Sequence, residues 1–382
     1  MHKRVTQKDI AQRLNISQSL VAGILANRPN VWASEETRRR ILEAAREMNY
    51  QPNRAAQSLR SGKTGSVCLV CHCTGTAQSR LNVVMTMEEL IGALGKYGYE
   101  LRLRVDHDAE RLCDNLRQVA QENYADAYVL LGGEEDVEAH AQILAEAGVP
   151  FVLRGRFERC YPDWLQIDLD HEEIMRIAVR TALENGRQRL AYIGSDNAEY
   201  ATLRLLEGFL NAVREERRNG AKIESVLTAS VGATPTLAKQ KMDEWWQLST
   251  SARPDAIIIG SDSQAWRGVE RSILFHGKRV GIDPDDILLI GMTGQNPDPL
   301  LDGMGLGFCV NDAAYRLISS VLVEQILLPL LKGVTLEQCV YRVVPPLEPV
   351  TSTNEPFVRF LIEQYRESQR GNPVSLRNTT TT

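Results

Sequence analysis

Potentially reactive side chains cluster in two places along this chain, and only one has the makings of a site. Residues 5–62 begin Val5-Thr-Gln-Lys-Asp-Ile-Ala11, continue through Ile16-Ser-Gln-Ser19 and Ser34-Glu-Glu-Thr-Arg38, and close on Asn49-Tyr-Gln-Pro-Asn-Arg-Ala-Ala-Gln-Ser-Leu59. The chemistry on offer there is hydrogen bonding and positive charge, not bond cleavage. Residues 1–65 hold 12 Lys or Arg against 5 acids, a net of +7, while the rest of the chain carries 32 basic against 44 acidic side chains, a net of −12. A basic head on an acidic body fits a polyanion-binding module joined to a domain that binds none. The net charge of −5 over all 382 residues conceals the split.

The second cluster is Cys68-Leu-Val-Cys-His-Cys73, part of a total of 7 cysteines. The same segment reads as a buried strand. Along a strand Cys71 and Cys73 share one face and Cys68 and His72 the other, so four ligands converge poorly on a metal. Small buried hydrophobes with reduced thiols are the preferred reading, and no metal is expected. Gly303-Met-Gly-Leu-Gly307 lacks the spacing of a dinucleotide loop. No Walker motif, Gly-x-Ser-x-Gly or His-Glu-x-x-His occurs. No catalytic residue and no cofactor is expected, which disfavours an enzyme.

The elements that must hold the basic cassette can be placed from local rules. Thr6 caps a first helix with Asp9 in capping-box position, and Ile10, Ala11 and Leu14 face inward. Ser17 caps a second helix bearing Leu20, Val21, Ile24 and Leu25. Only about two residues link the helices, so they cross steeply, as in a helix-turn-helix. Ser34 caps a third helix, with Glu35 and Glu36 at its positive end, and Ile41, Leu42, Ala45 and Met48 close the core. Pro52 then opens a segment, Asn53–Arg60, of roughly two turns, too short to be stable alone in water. It is expected to order only against its twin on a DNA duplex.

With these pieces in order, the cassette resembles the headpiece and hinge of the LacI/GalR family of bacterial transcription regulators. The resemblance is carried by Val5-Thr-x-x-Asp-Ile-Ala, Ile16-Ser, Val21, Ser34-x-x-Thr-Arg38 and Asn49-Tyr-x-Pro-Asn-Arg-Ala-Ala-x-Ser-Leu59. It implies that Gln18 and Ser19 reach base edges in the major groove. It implies phosphate contacts by Thr6, Ser17, Ser34, Thr37, Tyr50 and Asn53. In the hinge it makes Leu59 a minor-groove wedge beside Ala56, with Gln57 among the DNA-binding residues. One departure is clear: Leu20-Val-Ala-Gly23 stands where the family usually has Thr-Val-Ser-Arg.

Beyond the polar connector Gly62-Lys-Thr-Gly65, apolar runs at 66–72, 100–105, 126–131, 150–154, 189–194, 224–230, 255–260 and 286–291 read as strands. Helix-period segments lie at about 83–97, 109–123, 137–147, 171–186, 202–219, 235–248, 263–277 and 313–332. This alternation predicts an α/β body of parallel sheets covered by helices, in two units. Gly148-Val-Pro-Phe-Val-Leu153, Gln188–Gly194, Glu207-Gly-Phe209 and Asp283–Gly291 are similar to the family's effector domain, which implies a two-subdomain body like that of periplasmic binding proteins. Ligands of that fold bind between subdomains at the carboxyl ends of strands.

Against family sugar pockets, several groups are replaced. Leu205 stands for an arginine, with Arg204 adjacent; Arg154 for an acid; Ser261 for an asparagine; and Thr293 for an aspartate, while Asp262 is kept. The effector is therefore expected at Arg154, Arg204, Ser261, Asp262 and Thr293. Either it is anionic, gripped by Arg154, Arg156 and Arg204, or less ordinary than a neutral sugar, or the pocket senses no small molecule.

The expected organisation is a headpiece at 1–51, hinge and linker at 52–64, an effector-binding and dimerisation domain at 65–355 with crossovers near 165, 293 and 311, and a partly disordered extension at 356–382. The expected protein is a dimeric repressor on near-palindromic double-stranded DNA. It is placed in the cytoplasm, away from membranes, since no run of about 18 apolar residues occurs. The alternative is a cytoplasmic ligand-binding protein.

Overall fold

The computed structural model describes residues 5–25, 31–51, 62–73, 77–132, 134–155, 164–196, 200–231, 234–260, 263–291, 307–309, 313–337 and 339–350. The chain divides after Gly65 into two compact units, Met1–Gly65 and Ser66–Thr382.

In the first unit, α1 (Gln7–Leu14), α2 (Gln18–Leu25) and α3 (Glu35–Glu47) enclose Ile10, Ala11, Val21, Ile24, Ile41, Ala44 and Ala45. Leu42, expected inside, is instead 42% exposed, and Ala44 is buried. At 3.6 residues per turn, positions 41, 44, 45 and 48 share one face, and 42 lies off it.

The second unit holds two six-stranded sheets. The first contains β1 (Ser66–His72), β2 (Glu100–Asp106), β3 (Ala127–Leu131), β4 (Phe151–Arg154) and β5 (Gln166–Leu169), joined late by β11 (Val340–Val343). Its order is β11-β5-β4-β3-β1-β2. The second contains β6 (Arg189–Ser195), β7 (Ser225–Val231), β8 (Ala256–Gly260), β9 (Leu288–Gly291), β10 (Gly307–Cys309) and β12 (Glu348–Val350), in the order β12-β10-β9-β8-β6-β7. Each sheet thus repeats one doubly wound pattern, with the first strand flanked by the second and third, plus one added edge strand. Every pairing is parallel except β10 with β12.

Strand composition follows position in the sheet. Central β1 and β8 are buried along nearly their whole length and read Ser-Val-Cys-Leu-Val-Cys-His and Ala-Ile-Ile-Ile-Gly. Edge strand β2 alternates Leu101, Leu103 and Val105 with Arg102 and Arg104. Buried parallel strands need both faces apolar, whereas an edge strand does not. The helices α4 (Ala77–Gly95), α5 (Ala109–Gln121) and α6 (Glu134–Glu146) belong to the first sheet, and α7 (His171–Glu184), α8 (Tyr200–Arg218), α9 (Pro235–Trp246) and α10 (Ser263–Phe275) to the second.

The chain passes between sheets after Leu169, after Cys309 and after Val343. A crossing expected near 293 is not where the sheets change: β9 and β10, on either side of it, pair with each other. The third crossing joins β11 to β12, two short strands that periodicity does not predict. The helix expected at 313–332 is interrupted. Between α11 (Ala313–Val321) and α12 (Leu328–Leu331) lies a π-helical turn, Leu322–Leu327, where the N–H of Leu328 bonds the carbonyl of Val323. Pro329 follows directly, and its ring crowds the preceding turn, which the wider winding relieves.

Cys68, Cys71 and Cys73 are buried. Cys68 packs with Val70, Leu112 and Tyr128, and burial pushes its thiol up to about 12. Among the described residues no three His, Cys, Asp or Glu side chains converge on a point. No helix of the described residues is long and apolar enough to cross a membrane.

Candidate nucleic-acid interface

Three helix N-termini in the first unit are capped by hydroxyls. The Oγ1 of Thr6 accepts from the Asp9 N–H at 3.4 Å, and the Asp9 carboxylate accepts from the Thr6 N–H at 2.7 Å. This is the reciprocal pairing of a capping box. Helix α1 stops at Asn15, whose φ of 54° is left-handed, and the Ile16 N–H bonds the Ala11 carbonyl. The chain turns through Asn15, Ile16 and Ser17 into α2, where Ser17 Oγ accepts from the Leu20 N–H at 3.2 Å. Ser34 caps α3, accepting from the Thr37 N–H at 3.2 Å, and its hydroxyl lies 2.9 Å from that of Thr37.

Among the described residues, the expected contacts are exposed or half-buried, and Tyr50 packs against the core. Thr6, Ser17, Gln18, Ser19 and Ser34 are exposed, and Thr37 and Tyr50 are half-buried. Gln18 and Ser19 form the first turn of α2, whose free N–H groups and positive dipole end favour an anionic neighbour. Asn53, Ala56, Gln57 and Leu59 lie outside the described residues.

The departure at Leu20–Gly23 has a packing reason. Leu20 packs against the core. A Cβ on Gly23 would sit 2.4 Å from Val31 Cγ2 and 3.0 Å from its Cγ1. The missing side chain admits Val31, a contact periodicity does not predict although a buried helical glycine hints at it. Gly23→Ala should gain roughly 1 kcal/mol of helix propensity yet lose about 1–3 kcal/mol to overpacking against a stiff β-branched neighbour. The expected outcome is faster amide exchange across α2, reversed by adding Val31→Ala. A Gly23→Ala protein with unchanged or slower exchange would refute the contact's importance.

Candidate effector residues are only partly placed. Arg154 ends β4 at the carboxyl edge of the first sheet. Arg204 on α8 donates to Glu207 at 2.8 Å and lies 3.7 Å from Glu172, so two carboxylates already balance it. Leu205 beside it is 7% exposed, inside the core of the second sheet. Arg156, Ser261, Asp262 and Thr293 lie outside the described residues. Ser272 and His276 both approach Asp243, which places the carboxylate between hydroxyl and imidazole. A nucleophile needs the imidazole in the middle, so this trio holds α9 to α10 and does not activate Ser272.

Comparison with known proteins agrees with this geometry. Residues 6–53 match the family model described as bacterial regulatory proteins, lacI family. The HTH-type transcriptional regulator AglR of Rhizobium meliloti is 27% identical over 289 residues, covering 74% of this chain and 78% of that one. Catabolite control protein A of Staphylococcus aureus is 24% identical over 290 residues, covering 76% and 82%. Among solved structures, the lac repressor dimer bound to operator and the anti-inducer ONPF superposes with a TM-score of 0.62 at 18% identity, covering 92% of this chain and 99% of that one.

Proposed function

As a member of the LacI family of bacterial regulatory proteins, this chain is a DNA-binding transcription regulator, and we propose that it acts as a dimeric repressor. Each headpiece reads half of a near-palindromic duplex, as two-fold symmetry requires. The observation that carries this reading is the exposed Ser17-Gln18-Ser19 turn at the capped start of α2, on a unit whose net charge is +7. Gln18 and Ser19 supply direct base readout, and Thr6, Ser17, Ser34, Thr37 and Tyr50 fix register on phosphates. Asn53, Ala56, Gln57 and Leu59 complete the contact in the hinge.

Dimerisation is supported by an apolar stripe on the second unit. Val84 and Ile91, seven apart on α4, are 48% and 53% exposed. Leu103 and Val105, on one face of the edge strand β2, are 38% and 42% exposed. Leu101, on that same face, packs against the core cluster that holds Leu90 and Leu94 of α4. Apolar side chains along an open sheet edge invite pairing.

Selection from randomised half-sites tests the reading. A specific site should emerge that differs from the family's ordinary one, with affinity falling steeply as salt rises. Gln18→Ala should cost roughly 1–3 kcal/mol at a single base position. Leu20–Gly23 lacks the polar and cationic groups of the usual Thr-Val-Ser-Arg, so recovery of the ordinary family site would show that this replacement leaves base preference unchanged, and a shallow salt dependence would favour the ligand-binding alternative.

For the effector, Arg154 has the better position, since ligands of doubly wound sheets bind beyond the carboxyl ends of strands. Arg204 lies beside Glu172 and Glu207, whose charges oppose an anion. Ser261, Asp262 and Thr293 complete the proposed pocket. A second reading, in which the pocket senses no sugar, is favoured by the burial of Leu205 where the family has an arginine. Thermal-shift screening against sugars, sugar phosphates and nucleosides separates them: a strong shift with a neutral sugar contradicts both the anionic and the insensitive pocket.

A further inference from the structure

Trp32 is 91% exposed, more than any other large apolar side chain among the described residues. Its neighbours hold it there. Val31 fills the space that Gly23 leaves on α2, and Ala33 packs against the headpiece core. The segment Val31–Ser34 has no helical turn, and its burial alternates: Val31 and Ala33 half-buried, Trp32 and Ser34 exposed. Alternation with a period of two sends Trp32 and Ser34 to the same side. Ser34 is the cap of α3, with extended backbone at φ −62° and ψ 153°.

We propose that Trp32 is a further DNA contact, one that grips the sugar–phosphate backbone next to Ser34 and reads no base. The proposal rests on the DNA-binding reading above. Its chemistry is that of an indole. The Nε1–H is a donor with no acceptor partner of its own kind, which suits phosphate oxygens that only accept. The ring supplies a flat apolar surface for the deoxyribose. Exposing a tryptophan this fully serves no core, whereas against a duplex it removes the ring from water. A contact to the backbone carries no sequence information and neutralises no charge. Its loss should therefore weaken all duplexes alike and leave the salt dependence unchanged, unlike the loss of an arginine.

The test uses the full chain, a duplex selected by the protein itself, and a mixed-sequence duplex at low salt. Of the 5 tryptophans, Trp245, Trp246 and Trp266 are under 10% exposed and Trp164 is half-buried, so acrylamide quenching reports chiefly on Trp32. Either duplex should lower quenching of the wild-type emission at least twofold, and Trp32→Phe should abolish that protection. Trp32→Ala should weaken binding to both duplexes roughly 10-fold, the worth of a hydrogen bond to a charged group. Trp32→Phe should keep part of the affinity through the ring alone, and the log–log salt slope should not change. If the wild type binds DNA but Trp32 stays open to acrylamide, or Trp32→Ala binds normally, the proposal fails and the DNA-binding reading stands. Loss confined to the selected duplex would make Trp32 a base reader and also overturn it. If the wild type binds neither duplex, both readings fall.

Discussion

Replacing Val84 and Val105 with glutamate is expected to separate the protomers and to weaken binding to the selected duplex roughly 10²–10⁴-fold, the gain usually provided by linking two half-site contacts. Val84 on α4 and Val105 on β2 are both exposed apolar side chains. A carboxylate on each would have to be desolvated, and its twin would face it across the two-fold axis. Neither position is buried in the isolated chain, so the fold should survive. Sedimentation would show a monomer with an unchanged unfolding transition, and a single half-site duplex would bind with wild-type affinity. A variant that remains dimeric would place the interface elsewhere on the molecule.

A second large effect is expected within the second unit. Arg187 is 3% exposed, and its guanidinium donates to the carbonyls of Pro284 at 3.0 Å, Gly281 at 3.4 Å and Asp283 at 2.6 Å. One planar fork thereby holds the turn that leads into β9. The acids of that turn are engaged separately, with Arg279 paired to both Asp283 and Asp286. Arg187→Met keeps the aliphatic stem and most of the volume but strands the carbonyls, at a cost of about 3 kcal/mol. Arg187→Lys keeps a charge without the fork and should recover only part of it. Urea unfolding of the full chain measures both. A loss below about 0.5 kcal/mol in Arg187→Met would show that water replaces the guanidinium without penalty.

How legible the molecule is from its residues depends on the range of the interactions involved. Thr6 with Asp9, Ser17 before α2 and Ser34 before α3 all bond within three residues, so each helix start can be read from neighbours along the chain. The central strands are equally legible, because burial on both faces demands unbroken apolar runs such as Ala256–Gly260. Four short strands are not. Gln166–Leu169, Gly307–Cys309, Val340–Val343 and Glu348–Val350 contain three or four residues each and lack the apolar run that marks the equally short Phe151–Arg154 and Leu288–Gly291; a neighbouring strand completes their hydrogen bonds. The π-helical turn at Leu322–Leu327 keeps an apolar repeat that reads as ordinary helix, and only Pro329 hints at the change in winding.

The candidate site divides in the same way. Which residues stand at the start of α2, and that the first unit is basic, is decided by the residues of a short segment alone, because capping and net charge are local sums over it. Tertiary packing decided the rest: that Gly23 makes room for Val31 and so leaves Trp32 outside, and that Arg204 meets Glu172 of another helix before any ligand. These outcomes depend on side chains brought together from different segments, whose separation in space no spacing along the chain records.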